Sequence, residues 1–178
     1  MAQEVRNPYA WSGSKAMTST FYLSGPILSG KDRHRSVDWR VEAADQLLPS
    51  GHHVYSPMNL GNGEVFFMDE YEELVVERDL AMIERSDVVI VCFPEGFEKS
   101  GHISLGTPME IAYAKVLGKP ILFFAEDEDL VIKLDNNPWV RYHNSLDLVR
   151  LWSVDVFDEI VACVELPDPI GSILTSQW

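Results

Sequence analysis

The stretch GTPMEIAYAKVLGKP, residues 106–120, and the apolar run ILFFA that follows it, residues 121–125, reveal most about how this chain folds. The first part predicts a loop and then a helix with a carboxylate, Glu110, in its first turn. The second part predicts a buried strand. Glu110 is therefore expected at the amino end of a helix and near the carboxyl end of a strand, where open α/β sheets bind their ligands.

Further strands and helices are predicted on both sides of this stretch. Short apolar runs predict strands at residues 21–23, 53–55, 87–93 and 120–124, and a fifth is expected at residues 139–142. Helical spacing predicts helices over residues 37–48, 71–85, 107–117 and 146–164, with loops at residues 27–36, 94–104 and 125–135. We predict an α/β fold: a single doubly wound, flavodoxin-like or Rossmann-like sheet of five parallel strands in the order 2-1-3-4-5, with helices on both faces.

One folded domain accounts for the length and composition. The chain has 178 residues, of which 46% are hydrophobic, as in a globular protein with a sizeable core. Residues 1–19 are small and polar and lack the apolar segment of a signal peptide, so we expect a flexible tail. The α/β domain is predicted over residues 20–166, and residues 167–178 are expected to form a second loose tail.

Charge and cysteine content argue against several classes of protein. The 14 Lys and Arg residues against 28 Asp and Glu residues give a net charge of −14. Such a surface repels nucleic-acid polymers and anionic membranes, although a few local donors can still hold a small phosphate. Cys92 lies in a predicted core strand, so a disulfide with Cys163 is not expected and the cytoplasm is the expected compartment. No apolar run approaches the length of a membrane span.

Three side chains are candidates for chemistry, and each also has a purely structural interpretation. Residues 107–110, TPME, have the pattern of a helix capping box, in which Glu110 would bond the backbone. An ionised carboxylate at the same place is also what a glycosyl nucleophile requires. Asp79 falls within an apolar helical stripe, where a carboxylate is costly unless it is hydrogen-bonded or functional. Tyr22 is either a core aromatic residue or a positioned hydroxyl.

Motifs for cofactors and metals are missing from the sequence. There is no G-x-G-x-x-G or P-loop pattern, and the five histidines are scattered without metal-ligand spacing, so we expect no cofactor and no metal. Residues 126–129 are acidic and fit a solvated loop, with Mg²⁺ as a remote alternative. Ser24 and Gly25 end the first predicted strand, where a turn can offer backbone N–H groups to an anion.

Three blocks of sequence, in order, resemble the nucleoside 2-deoxyribosyltransferases and their relatives, the 2′-deoxynucleoside 5′-monophosphate N-hydrolases. The blocks are FYLSGPI, RDLAMIERSDVVIV and SLGTPMEIAYAKVLGKPIL, at residues 21–27, 78–91 and 104–122. The resemblance implies that Glu110 attacks C1′ of the sugar, that Tyr22 orients Glu110, and that Asp79 lies near the base and assists its departure. The residues expected to bind substrate are Ser24, Gly25, Ser104, Gly106 and Met109.

Position 104 bears on the substrate that the resemblance implies. In the transferases this position is typically an aspartate that receives the sugar 5′-hydroxyl, whereas in the hydrolases it is typically a serine that donates to the 5′-phosphate. Ser104 therefore favours hydrolysis of a (2′-deoxy)nucleoside 5′-monophosphate with release of the free base. The arginine that the hydrolases carry after Ile27 is replaced here by Leu28, and the nearest cations are Lys31, Arg33 and Arg35.

Two alternatives to this hydrolase remain open. The first is base exchange between deoxynucleosides through the same covalent intermediate, and the second is a nucleotide-binding domain without catalysis. In each case the expected partner is a small nucleoside or nucleoside monophosphate. The relatives are dimers or larger, so the resemblance also implies a homodimer or a higher homo-oligomer.

Overall fold

A parallel sheet forms the centre of the structure, a computed structural model that describes residues 18–58, 72–100, 104–146 and 148–153. Its strands are β1 (Thr20–Ser24), β2 (His53–Tyr55), β3 (Val88–Phe93), β4 (Ile121–Ala125) and β5 (Arg150–Leu151). The α-helices are α1 (Arg33–Leu47), α2 (Glu72–Arg85), α3 (Gly106–Val116), α4 (Glu128–Asp135) and α5 (Pro138–His143). Short 3-10 turns lie at Gly30–Asp32 and Glu98–Ser100.

The order of the strands confirms the predicted doubly wound topology. All neighbours are parallel, and the sheet runs β2-β1-β3-β4-β5. The chain therefore winds in one direction from β1 to β2 and in the other from β3 onwards. Ligands of such sheets bind beside the carboxyl ends of the two strands at which the order reverses, here β1 and β3.

Helices cover both faces of the sheet. Phe21 and Leu23 of β1 pack with Trp39 of α1 on one face. Tyr22 lies in the other buried cluster, with Ile83 of α2 and Ala114 of α3. Since successive residues of a strand point to opposite faces, Tyr22 and Ser24 share the face that α2 and α3 cover.

Helix α1 starts earlier than predicted and buries a different side. It begins at Arg33 rather than at residue 37, and its buried residues are Ser36, Trp39, Arg40, Ala43, Ala44 and Leu47. The apolar spacing in the sequence, at residues 37, 41, 44 and 48, predicted that Leu48 is buried, but it is 45% exposed. The apolar spacing was misleading because the true buried face carries two polar side chains, Ser36 and Arg40, both with hydrogen-bond partners.

The predictions for the C-terminal third were partly wrong. Residues 139–142 lie in α5 rather than in a strand, because Asn137 caps that helix by accepting from the backbone N–H of Trp139 and Val140. Helix α4 occupies most of the predicted loop at residues 125–135, and the Asp127 side chain caps it by accepting from the N–H of Leu130. The fifth strand is β5, so the helix predicted from residue 146 is wrong at residues 148–153. Residues 154–164 of that predicted helix, Cys163 among them, lie outside the described residues. So do both predicted tails, apart from residues 18 and 19 of the first.

Gly25 allows the turn after β1 to approach β3 closely. Its φ is +150°, and a Cβ atom built on it would lie 2.2 Å from the carbonyl oxygen of Cys92. Real Cβ atoms do not come that close to a backbone atom, so only glycine fits without moving a strand. Cys92 itself is fully buried, as the sequence predicted.

We expect Gly25→Ala to lower the free energy of unfolding by about 3 kcal/mol or more, because its methyl group collides with backbone at an unfavourable φ. Urea titration measures the loss. Gly30→Ala is the matched control, since Gly30 also has a positive φ (+63°) but nothing within 4 Å of a built Cβ. Backbone strain alone should cost Gly30→Ala about 1–2 kcal/mol. Equal losses for the two variants would contradict the collision.

Candidate active site

Two hydroxyl groups of β1 hold the carboxylate of Glu110. The Tyr22 hydroxyl donates to Oε1 at 3.0 Å, and the Ser24 hydroxyl donates to Oε2 at 2.5 Å. The two donors lie on one face of β1 because they are two residues apart. Each oxygen of the carboxylate therefore has its own donor, which fixes the plane of the group at the carboxyl end of β1.

The capping-box interpretation of Glu110 is wrong. Helix α3 begins at Gly106 with Leu105 as its N-cap, so Glu110 lies in the second turn rather than the first. The side chain near the helix start is Ser104, whose hydroxyl donates to Thr107 Oγ1 at 2.8 Å and accepts from the Thr107 N–H at 3.4 Å. Ser104 rather than Glu110 bonds a backbone N–H at this end of the helix. The Glu110 carboxylate accepts its hydrogen bonds from Tyr22 and Ser24 of β1.

Burial and nearby charges set the ionisation of this cluster. Burial raises the pKa of Glu110, the hydrogen bonds from Ser24 and Tyr22 lower it, the charge of Asp79 raises it, and Arg40 lowers it; the net direction is upward. Burial and the charge of Glu110 raise the pKa of Tyr22 well above its ordinary value, so Tyr22 stays a protonated donor. The carboxylate is thus more readily protonated than a glutamate in water, while its hydrogen bonds favour the ionised form.

Asp79 lies on α2 and is only 8% exposed. Nε and Nη2 of Arg78 donate to its Oδ1 at 3.0 and 2.8 Å, and Nη2 also donates to the carbonyl of Pro57 at 3.1 Å. Burial raises the pKa of Asp79, and Arg78 partly offsets this. The apolar stripe predicted around Asp79 runs from Val76 to Ile83. Ile83 is buried as predicted, whereas Val76 is 53% exposed.

The structure brings four of the predicted site residues to one place and leaves others apart. Tyr22, Ser24 and Glu110 are in direct contact, and Asp79 is close enough for its charge to raise the pKa of Glu110. Gly25 follows Ser24 in the turn. Ser104 and Gly106 lie at the start of α3, where Ser104 bonds Thr107 rather than any of the four. Met109 is 66% exposed on α3.

Two arginines near the site were missed from the sequence. Arg78 comes directly before Asp79 in the sequence RDL, residues 78–80. Opposite charges on neighbouring residues could have indicated that Arg78 pairs with Asp79. Arg40 is fully buried on α1, and it lowers the pKa of both Glu110 and Asp79. No pattern in the sequence marks it, because a helical arginine is normally solvated.

Leu28, which replaces the arginine of the monophosphate hydrolases, has a structural role in this chain. Leu28 is 1% exposed and belongs to the core. Of the cations named as replacements, Arg35 pairs with Glu95 at 3.2 Å, while Lys31 and Arg33 are exposed.

The described residues contain neither a metal-binding cluster nor a membrane-spanning helix. No group of three or more His, Cys, Asp or Glu side chains among them is arranged to hold a metal ion. None of the helices in the described part of the chain is long and apolar enough to cross a membrane.

Fold and site together define an α/β protein with paired carboxylates at the point where the strand order of a doubly wound sheet reverses. The chain belongs to the nucleoside 2-deoxyribosyltransferase family, whose family model matches residues 21–162. It is accordingly an enzyme of the deoxyribosyltransferase type. The predicted membership is confirmed.

Two solved structures are similar in fold. One is a 2-deoxyribosyltransferase from the psychrotolerant bacterium Bacillus psychrosaccharolyticus. Its TM-score is 0.57 and its sequence identity 20%, and the match covers 79% of this chain and 90% of that one. The other is a conserved protein from Enterococcus faecalis V583, with a TM-score of 0.52 and 20% identity over 82% of this chain and 98% of that one. No curated protein sequence matches the chain significantly.

Proposed function

We propose that this enzyme cleaves the N-glycosidic bond of a (2′-deoxy)ribonucleoside 5′-monophosphate through a covalent glycosyl-Glu110 intermediate and releases the free base. The observation that carries the proposal is the pair of hydrogen bonds from Tyr22 and Ser24 to the two oxygens of Glu110. They orient a carboxylate that takes part in none of the salt bridges formed among the described residues. Such a group suits attack on an electron-poor C1′.

The reaction then has two steps. In the first, a carboxylate oxygen of Glu110 forms a bond to C1′ while the C1′–N bond breaks, and its electron pair leaves with the base. Asp79 donates a proton to that base, a role that suits a carboxyl group whose pKa is raised by burial. In the second step water attacks C1′, the ester bond to Glu110 breaks, and the proton of water returns to Asp79.

The choice of a monophosphate rests on Ser104 and on the end of α3. The Ser104 hydroxyl lies at the amino end of this helix, where backbone N–H groups and the helix dipole favour an anion. An aspartate at the same position would repel a phosphate. Gly25 of the β1 turn and Gly106 of the first turn of α3 are proposed to line the sugar-phosphate side, and Met109 the base side.

We expect wild type to prefer a 5′-monophosphate over its nucleoside, and Ser104→Asp to flatten or invert that preference. A tenfold change requires only about 1.4 kcal/mol, which one misplaced charge can supply. The measurement is kcat/KM for a nucleoside and its monophosphate on both proteins. Ser104→Ala is the control, because it removes the hydroxyl without adding a charge. A wild-type preference for the free nucleoside would contradict the phosphate assignment.

Base exchange is the alternative within the same family, and family membership supports it equally. It uses the same intermediate, with a second base rather than water attacking C1′. A panel of nucleosides and 5′-monophosphates, incubated with and without an acceptor base, distinguishes the two through free base and exchanged nucleoside. Absence of both products across the panel would favour a nucleotide-binding domain without catalysis.

The assembly and the compartment remain predictions. Three exposed apolar residues, the N-cap Leu105 and Met109 and Val116 of α3, follow one another at spacings of four and seven, which places them on one face of that helix. This face supports a homodimer or higher homo-oligomer, which sedimentation equilibrium measures. A cytoplasmic location is likewise a prediction.

A further inference from the structure

Arg40 is a fully buried cation without an ion pair. Its residue exposure is 0%, and its guanidinium carbon lies 4.4 Å from the centroid of the Trp39 ring. None of the salt bridges formed within the described residues includes it. A buried charge is costly unless hydrogen bonds and opposite charges compensate it, so such an arginine requires an explanation.

The hydrogen bonds of Arg40 provide the first part of the explanation. Nε donates to the carbonyl of Leu23 at 3.2 Å, and Nη2 donates to the carbonyl of Gly25 at 2.8 Å. These two carbonyls flank Ser24, whose hydroxyl donates to Glu110. The planar guanidinium thus fixes the backbone on both sides of the serine. Nη1 anchors the same group to its own helix through the carbonyl of Ser36 at 2.5 Å.

Electrostatics provide the second part. Burial lowers the pKa of Arg40 to about 10, which leaves it charged at neutral pH. The negative charges of Glu110 and Asp79 stabilise that charge, and Arg40 in turn lowers the pKa of both carboxyl groups. The groups that act on Glu110 are Tyr22 and Ser24 from β1, Asp79 from α2 and Arg40 from α1. Of these four, Arg40 carries the positive charge.

We propose that Arg40 is a positioning residue of the active site: it clamps the backbone around Ser24 and supplies a positive charge that favours the ionised form of Glu110. Arg40 acts through other groups and needs no contact with substrate. The inference rests on the proposed function only for the use to which an ionised Glu110 is put. Its electrostatic half concerns a property of the protein without substrate.

The deciding measurement is the pKa of Glu110, obtained by ¹³C NMR titration of side-chain carboxyl groups and assigned by comparison with Glu110→Gln. Removal of the charge in Arg40→Gln should raise this pKa, whereas Arg40→Lys should raise it by less than half as much. Arg35→Gln is the matched control. Arg35 lies on the same helix, but its side chain is 34% exposed and pairs with Glu95, so its loss should leave the Glu110 pKa within about 0.2 unit.

The clamp has a separate readout. Arg40→Lys keeps the charge but cannot reproduce a rigid fork on two carbonyls. Its Ser24 amide should therefore exchange hydrogen faster than in wild type, and kcat should fall more than the shift in the Glu110 pKa accounts for. Rates equal to wild type in both measurements would overturn the clamp.

The electrostatic half is overturned if Arg40→Gln leaves the Glu110 pKa as in wild type, or if Arg35→Gln shifts it as much. All variants are titrated in the same concentration of trimethylamine N-oxide, which favours the folded state of a destabilised protein. Because this titration needs no substrate, it distinguishes failure of this inference from failure of the proposed reaction. The latter would appear as a wild-type protein without turnover and with the expected shifts in pKa.

Discussion

Replacing Glu110 with alanine is expected to leave a folded protein that no longer cleaves a glycosidic bond. If Glu110 is the nucleophile, its loss should lower kcat by about three orders of magnitude or more, since no other group can form the intermediate. Turnover of wild type and variant on the best substrate of the panel measures the effect. Glu128→Ala, at an exposed glutamate of α4, is the control and should retain wild-type turnover. Near-wild-type activity of folded Glu110→Ala would overturn the mechanism.

The pH dependence of the same enzyme provides a further check on Glu110. Its pKa is raised by burial, so the ionised form required for attack appears at a higher pH than for a glutamate in water. The value of kcat/KM should therefore rise with pH through this raised pKa. Stability should show the opposite trend: its contribution from Glu110 is fully present below the unfolded-state pKa and is lost as pH rises through the folded-state pKa. Glu110→Gln should have no measurable turnover, and its stability should lack this pH dependence.

The second large effect is expected at Asp79. In Asp79→Asn the amide oxygen can still accept from Arg78, so the local structure should persist, but the amide cannot transfer a proton to the base. We expect kcat to fall about 10²–10⁴-fold with little change in KM. Steady-state kinetics on the true substrate provide the measurement.

A change of substrate provides a sharper control for Asp79. A base of lower pKa departs without a proton donor, so the defect of Asp79→Asn should shrink on such a nucleoside, whereas that of Glu110→Ala should not. Asp129→Asn, at an exposed aspartate of α4, should behave as wild type. An unchanged kcat for Asp79→Asn would return Asp79 to a structural role.

Much of the site could be predicted because its residues lie at the ends of strongly patterned elements. The apolar runs that became β1, β3 and β4 predicted a parallel sheet, and the order of such strands follows from a small set of topologies. The family blocks then selected Tyr22, Asp79 and Glu110. The Tyr22 hydroxyl donates to Glu110 in the structure, while the chemical roles of both residues remain predictions.

Other features could not be predicted because they depend on contacts distant in sequence. Residues 150 and 151 became a strand because they pair with Phe124 and Ala125, and no local pattern records that pairing. In α1 the apolar spacing indicated the wrong face, since hydrogen bonds to the β1 turn permit Arg40 to be buried.

The sequence by itself determined four strands of the sheet, the positions of the two carboxylates along the chain and the family, because local periodicity and motifs carry that information. Only the tertiary structure decided what Glu110 does with its carboxylate. Local sequence predicted a helix cap, but the carboxylate instead accepts hydrogen bonds from the hydroxyls of Tyr22 and Ser24, 88 and 86 residues away. The physical reason is that a hydrogen bond depends on distance in space, and the sheet brings β1 beside α3 whatever their separation along the chain.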